Sequence, residues 1–296
     1  MHHVCVIGVA SALGISTRHF DTDFRTLFHS DDFRQALTHN QATAHFKHIK
    51  PALSKTATPT LNDSQLTLDL LSEYVHEALD HNKPFISIEG DHSAAMGCWR
   101  PVAERYQPGE LGLIWLDAHM DAHSFQSSPT GNLHGMPVCT LIGQGCSRLQ
   151  RLYHSQAFIE PSNMVLIGIR DYEPEEKALL DAMGVQIIYM RDITTPNALQ
   201  EAVTRSYSLL AGRCSAIGMS IDLDVFNPEK ISAVATPVTK GIEPEDFIAC
   251  INTLDDQQKL IGIEIAEYYS ALDTSQLSAR FITSLVDAFL PKLLRY

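Results

Sequence analysis

The chain has 296 residues, is 45% hydrophobic and 19% charged, and carries a formal charge of −13 at neutral pH. That length buries a large core, the composition is that of a globular protein, and the acidity argues against nucleic-acid binding, which needs a basic face. No apolar run approaches the ~20 residues of a membrane span, and Met1-His2-His3 lacks the basic start of a signal peptide, so a cytoplasmic protein without membrane contact is expected.

Strand and helix signals alternate along most of the chain. Strands are expected at Val4–Ala10, Pro84–Glu89, Leu111–Asp117, Asn163–Ile169, Val185–Tyr189, Ser215–Asp222 and Lys259–Ile265. Helical spacing of apolar residues marks Asp63–Asn82, Ser93–Tyr106, Pro174–Met183, Pro196–Leu210, Glu243–Leu254 and Asp273–Leu290. Several strands, such as Leu113-Ile114-Trp115-Leu116, are continuously apolar, the pattern of a parallel sheet covered on both faces. The sequence therefore predicts a three-layer α/β/α fold with a mainly parallel central sheet. Polar, Thr-rich Asn40–Asp63 reads as a surface loop, and Ala122–Leu133 as a second irregular piece. No linker divides the chain, which predicts a single domain over 1–296. Cys5, Cys98, Cys139, Cys146, Cys214 and Cys250 are scattered without a Cys-x-x-Cys pair and read as free thiols in a reducing compartment.

Three short stretches follow predicted strands and carry the chemistry: Gly90-Asp91-His92-Ser93, Asp117-Ala118-His119-Met120-Asp121 and Ser220-Ile221-Asp222-Leu223-Asp224. In extended backbone, side chains two apart point the same way, so Asp117, His119 and Asp121 converge, as do Asp222 and Asp224. The carboxyl ends of strands in open α/β sheets are where ligands bind. A lone Asp-x-Asp is usually a turn or cap, and Gly-Asp-His-Ser alone is a helix start. Burying all three motifs without cations is costly, so together they point to metal. Carboxylate and imidazole donors without thiolate favour a hard divalent ion, manganese first, with Fe, Co or Ni as substitutes. Two such ions ~3.5–4 Å apart can share and activate a bridging water.

At these residues the sequence resembles the ureohydrolase family of arginases, agmatinases, guanidino-acid hydrolases and formimidoylglutamases, from about Phe85 to the C-terminus. The resemblance implies two manganese ions, one on His92, Asp117, Asp121 and Asp222, the other on Asp117, His119, Asp222 and Asp224. Within the family, Ser128-Pro129-Thr130-Gly131-Asn132-Leu133-His134-Gly135-Met136-Pro137 is similar to the bacterial arginase loop. Arg170-Asp171-Tyr172-Glu173-Pro174-Glu175-Glu176 resembles the stretch whose acids approach the substrate amino group. Thr236-Pro237 and Glu267 match a family Thr-Pro and the glutamate that holds the guanidinium.

The implied activity is hydrolysis of L-arginine to ornithine and urea by a metal-bridging hydroxide. Asp121 would pass the proton, His134 act as shuttle and Glu267 orient the cation; His123, Thr130, Asn132, Glu173, Glu176 and Thr236 would contact the rest of the substrate. Agmatine, a guanidino acid or formimidoylglutamate is the alternative substrate, and a non-catalytic binding module is the remote one. Family members are commonly trimers or hexamers, so a homo-oligomer is implied. The chain departs from the family pattern at His123, where arginases carry Asn, and at Glu89, which takes the first glycine of Gly-Gly-Asp-His-Ser. Val225-Phe226-Asn227-Pro228, Tyr268-Tyr269 and the Gly14–Leu27 region differ as well.

Overall fold

A computed structural model describes residues 2–15, 22–51, 61–145, 159–255 and 259–295. Eight strands form one sheet: β1 (His2–Val9), β2 (Ala42–Ile49), β3 (Phe85–Glu89), β4 (Leu111–Leu116), β5 (Met164–Ile169), β6 (Gln186–Tyr189), β7 (Ala216–Asp222) and β8 (Leu260–Ala266). Every pairing is parallel, in the order β2-β1-β3-β8-β7-β4-β5-β6. The five strands β3, β4, β5, β7 and β8 are buried throughout, which is why β4 and β5 read as unbroken apolar runs and the other three are apolar but for a few buried polar residues.

Side chains alternate between two cores, one on each face. Ile114 and Leu116 of β4 join the face covered by helices Asp31–His39, Pro196–Ala211, Pro244–Thr253 and Leu277–Leu293. Leu113 and Trp115 join the other, covered by Leu61–Asp80, Ala95–Arg105 and Pro174–Met183. Alternation within a run that is apolar on both sides makes the three-layer α/β/α architecture expected from the sequence. Among the described residues no helix is long and apolar enough to cross a membrane.

The stretch expected as a loop at Asn40–Asp63 is corrected: Ala42–Ile49 is a strand, paired with β1 from His2↔Ala42 to Val9↔Ile49. Its residues are mostly half-buried or exposed, because β2 lies at the sheet edge, where His45 and Lys47 among the apolar residues blunt further pairing. Residues 52–60 of that stretch lie outside the described residues, as do 16–21 of the Gly14–Leu27 region. Also unforeseen is helix Asp31–His39, which Ser30 caps by accepting the Phe33 N–H. Cys5, Cys98, Cys214 and Cys250 are buried free thiols, Cys139 is buried, and Cys146 lies outside the described residues.

The topology explains the motif spacing. The four neighbouring strands β3, β8, β7 and β4 occupy the middle of the sheet although they are far apart in sequence. From β3 the sheet continues to β1, and from β4 to β5, so chain direction across the sheet reverses here, the switch point where open α/β sheets bind ligands. Each of these four strands delivers one charged segment to the same edge.

Candidate metal centre

The convergence of the motif side chains comes from turns, and extended backbone is not its source. Asp117 Oδ1 accepts the His119 N–H at 2.7 Å, folding the chain immediately after β4. Asp121 then adopts a left-handed backbone at φ 49°, which re-aims its carboxylate. After β7, Asp222 Oδ1 accepts the Asp224 N–H at 2.8 Å and starts the 3₁₀ turn Leu223–Val225. His92 opens another 3₁₀ turn, His92–Ala94, capped by Asp91. Short Asp side chains that accept from the backbone two residues on make these tight returns.

Two clusters result. In the first, His92 Nδ1 faces Asp222 Oδ2 at 2.9 Å, Asp121 Oδ2 at 3.3 Å and Asp117 Oδ2 at 3.4 Å. In the second, His119 Nδ1 lies 3.0 Å from Asp224 Oδ2 and 3.5 Å from Asp117 Oδ1. Asp117 belongs to both, one oxygen to each. Asp222 gathers with the first cluster only, whereas the family resemblance has it in both.

The surroundings hold these groups in place. His92 Nε2 meets Ser220 Oγ at 2.8 Å, and its ring stacks on Trp115 with centroids 4.1 Å apart. The Trp115 indole N–H donates to Asp117 Oδ2 at 2.9 Å. Thr236, which also lines the cavity, donates through Oγ1 to Asp224 Oδ2 at 3.1 Å and supports the second cluster. The Arg170 guanidinium donates to the carbonyls of Asp224 and Val238 at 2.7 and 2.9 Å, pinning the turn after β7.

Electrostatics show that the carboxylates cannot all ionise unaided. Burial, then the neighbouring Asp117 charge, pushes Asp121 up to about 7. Burial together with Asp224 and Asp117 carries Asp222 well above the ordinary carboxylate range. Burial opposes charge on His92 and His119, yet the surrounding carboxylates lift both well above an ordinary imidazole. Protons here do what cations would do better. A set of imidazole Nδ1 and carboxylate oxygens that shares Asp117 and is buried but for half-buried His119 fits hard divalent ions.

The clusters open into a cavity lined by His119, Asp121, Asp222 and Asp224 on the inside and by Ser128, Thr130, Asn132, His123, Glu173 and Glu176 toward the mouth. His123 Nε2 lies 3.0 Å from Glu173 Oε2 and 3.5 Å from Glu176 Oε2, and Nδ1 lies 3.1 Å from Ser127 Oγ. Glu173 and Glu176 cap helix Pro174–Met183 reciprocally, and Glu176 Oε1 also accepts the Ala122 N–H at 2.9 Å. His134 lines the cavity; Glu267 sits behind it, only 1% exposed and outside the lining. One Glu267 oxygen accepts from His92 N–H at 3.0 Å and faces His134 Nδ1 at 3.2 Å; the other accepts from Tyr269 OH at 3.0 Å.

Sequence reasoning missed Trp115, Ser220 and Tyr269, whose polar atoms look inward from apolar segments. It also missed Gly14, whose N–H donates to Asp91 Oδ2 at 3.0 Å and whose carbonyl accepts from Leu133 N–H at 2.8 Å. No periodicity marks such contacts.

The family model of the arginase family matches residues 4–290. The chain belongs to the arginase family. The match takes in the first strand, so family membership extends well before Phe85, where the motif resemblance begins. An arginase of Bacillus subtilis (strain 168) is 30% identical over 224 residues, 76% of this chain and 74% of that protein. An arginase of Bacillus caldovelox is 29% identical over 216 residues, 73% and 71% of the two chains. The solved Bacillus caldovelox arginase superimposes with a TM-score of 0.87 at 25% identity, covering 98% of each chain. A formimidoylglutamase from Bacillus subtilis has a TM-score of 0.77 at 18% identity, over 99% of this chain and 88% of the other, a likeness of fold alone. This arginase-family hydrolase has the fold and the clustered donors that its motifs announce.

Proposed function

We propose that this hydrolase is an arginase, which splits the guanidinium of L-arginine into ornithine and urea with two manganese ions. The observation that carries the reading is a buried His/Asp cluster joined through Asp117 to a second, partly exposed one at His119, both opening into an acid-lined cavity. Relatives named arginase at about 30% identity support it. His92, Asp117, Asp121 and Asp222 would hold one ion; Asp117, His119 and Asp224, with Asp222 beside them, the other. When bound, such ions supply an activated water and neutralise developing charge.

The chain's own residues do the rest. Glu267, fixed by three donors, is the charge toward which a guanidinium orients, an effect that can contribute several kcal/mol. Asp121, at the cavity floor, accepts a proton from the attacking water and returns it to the departing amine. His134, between Glu267 and the cavity, exchanges protons with solvent. Toward the mouth, Thr130 and Asn132 meet the substrate carboxylate, Glu173 with Glu176 meets its amino group, and His123 holds Glu173 until that group displaces it. The same reading has one domain over 1–296, working in the cytoplasm as a trimeric or hexameric homo-oligomer.

One observation favours a different amidine substrate: His123 engages Glu173, which an arginine amino group would need. Purified protein loaded with manganese and assayed for urea from L-arginine at mildly alkaline pH tests the proposal. Metal-dependent urea with equimolar ornithine supports it. Folded, loaded protein that yields no urea overturns the substrate, and formamide from a formimino substrate replaces it.

A further inference from the structure

A second pair of buried carboxylates lies under the metal centre. Glu89 ends β3 and Glu264 lies in β8, and both are 0% exposed. The strands are neighbours, with Ser87 opposite Glu264, so Glu89, two residues on from Ser87, projects from the same face of the sheet as Glu264. Ser87 Oγ donates to Glu89 Oε1 at 2.5 Å, and the Trp99 indole N–H donates to Glu264 Oε2 at 2.5 Å. That leaves Glu89 Oε2 and Glu264 Oε1, both buried and without any other hydrogen-bond partner.

Two carboxylates on one face of neighbouring strands, both fully buried and each with an oxygen that has no donor, cannot both ionise in so dry a site. Burial first, then the Glu264 charge and hydrogen bond, carry Glu89 well above the ordinary carboxylate range. Among the described residues, the groups facing the pair offer no compensating cation in contact: Ser87 and Trp99 already donate, and the Cys98 thiol is itself pushed up by burial and by both glutamates. His92 contributes only at longer range.

We propose that Glu89 and Glu264 hold a single proton between them, and that this carboxyl–carboxylate bond ties β3 to β8 so that His92 is positioned against Glu267. His92 follows Glu89 by three residues, and Glu267 follows Glu264 by three. The two strand ends are laced at the same level: Tyr268 N–H donates to the Glu89 carbonyl at 3.1 Å, and His92 N–H to Glu267 Oε1 at 3.0 Å. Both glutamates are positioning residues, because neither lines the cavity. The inference rests on His92 being a metal ligand, but not on arginine being the substrate.

Infrared difference spectroscopy of the manganese-loaded protein tests the shared proton. A protonated-carboxyl stretch should be present at neutral pH and should disappear in both E89Q and E264Q. Its absence from the wild type, or its persistence in both variants, overturns the shared proton. Manganese titration tests positioning. E89Q keeps a donor to Glu264 and should retain most of the affinity, whereas E89A leaves Glu264 alone and should lose about 10–100-fold. Equal affinity in E89A and E89Q overturns the positioning role. Should E89A not fold, E264Q against E264A supplies the same comparison from the other strand. Both readouts are independent of urea release, so a failed arginine assay leaves this inference standing or falling by itself.

Discussion

His134 Nδ1 stands 3.2 Å from Glu267 Oε1, the same oxygen that accepts the backbone N–H of His92 at 3.0 Å. The cavity wall and the first His/Asp cluster are thereby joined through one buried carboxylate. Burial opposes charge on His134, but the hydrogen bond and charge of Glu267 outweigh it and push the imidazole from 6.5 up to about 9. Glu267 responds in the opposite sense: despite its burial, His134 holds it below the ordinary range.

The sign of the pH dependence follows. A group whose folded value is raised stabilises fully below its unfolded value and loses that stabilisation as pH rises through the folded one. In metal-free protein the His134 contribution is complete below 6.5 and lost by about 9. Urea denaturation across that interval should show a loss on the order of 2–3 kcal/mol, and His134→Asn should flatten it. A wild-type curve with no alkaline decline would show that the ion pair does not form.

Removing a donor from the first cluster should separate binding from folding. Asp222 Oδ2 faces His92 at 2.9 Å while its Oδ1 caps the turn after β7. Asn keeps the cap and loses the charge. Asp222→Asn should keep its circular dichroism, bind fewer than two manganese ions by elemental analysis and lose turnover at least about a thousandfold. Chelation of the wild type should give the same loss, reversed by manganese. Full metal content in the variant would remove Asp222 from the ligand set.

Ser220 Oγ is 2.8 Å from His92 Nε2, the ring nitrogen that faces away from the carboxylates. A partner there fixes the tautomer and leaves Nδ1 free to coordinate. Ser220→Ala should weaken manganese binding about 10–100-fold while kcat at saturating metal stays close to wild type. An unchanged titration would show that stacking on Trp115 alone orients the ring.

The parallel sheet was legible because its central strands are buried on both faces, as Leu113-Ile114-Trp115-Leu116 displays. The six clustered donors were legible because charged residues at the ends of apolar strands have few structural explanations. The edge strand β2 was hidden by its half-exposed, polar sequence, whose pairing only β1 reveals. The turns that re-aim Asp121 and Asp224 were hidden because Asp-x-Asp spacing fits extended and turned backbone equally. Gly14 was invisible for another reason: its role is a contact with Asp91, 77 residues distant.

That contact is itself testable. A Cβ on Gly14 would lie 2.1 Å from Asp91 Oδ1 and 2.8 Å from Ser93 Oγ, so either the loop or the Asp91 side chain that caps the His92 turn must move. The Gly14 carbonyl also accepts from Leu133, next to His134, so movement is passed to the cavity wall. Gly14→Ala should destabilise by about 1–3 kcal/mol and lower kcat, as thermal melts and steady-state assays would record. Wild-type stability would show that the N-terminal loop shifts freely and does not brace the site.

At the mouth, His123 bridges Ser127 Oγ at 3.1 Å and Glu173 Oε2 at 3.0 Å. An imidazole committed to Glu173 competes with any ammonium group the substrate brings to that carboxylate. Asparagine is shorter and cannot span both partners, so His123→Asn frees Glu173. With L-arginine as substrate, KM should fall about 10-fold while kcat changes little, because a hydrogen bond to a charged group is exchanged in binding and not in the chemical step. A rise in KM at constant kcat would mean that the imidazole itself grips the substrate carboxylate. A fall in kcat alone would place His123 in the proton transfers and remove it from the recognition of the substrate's far end.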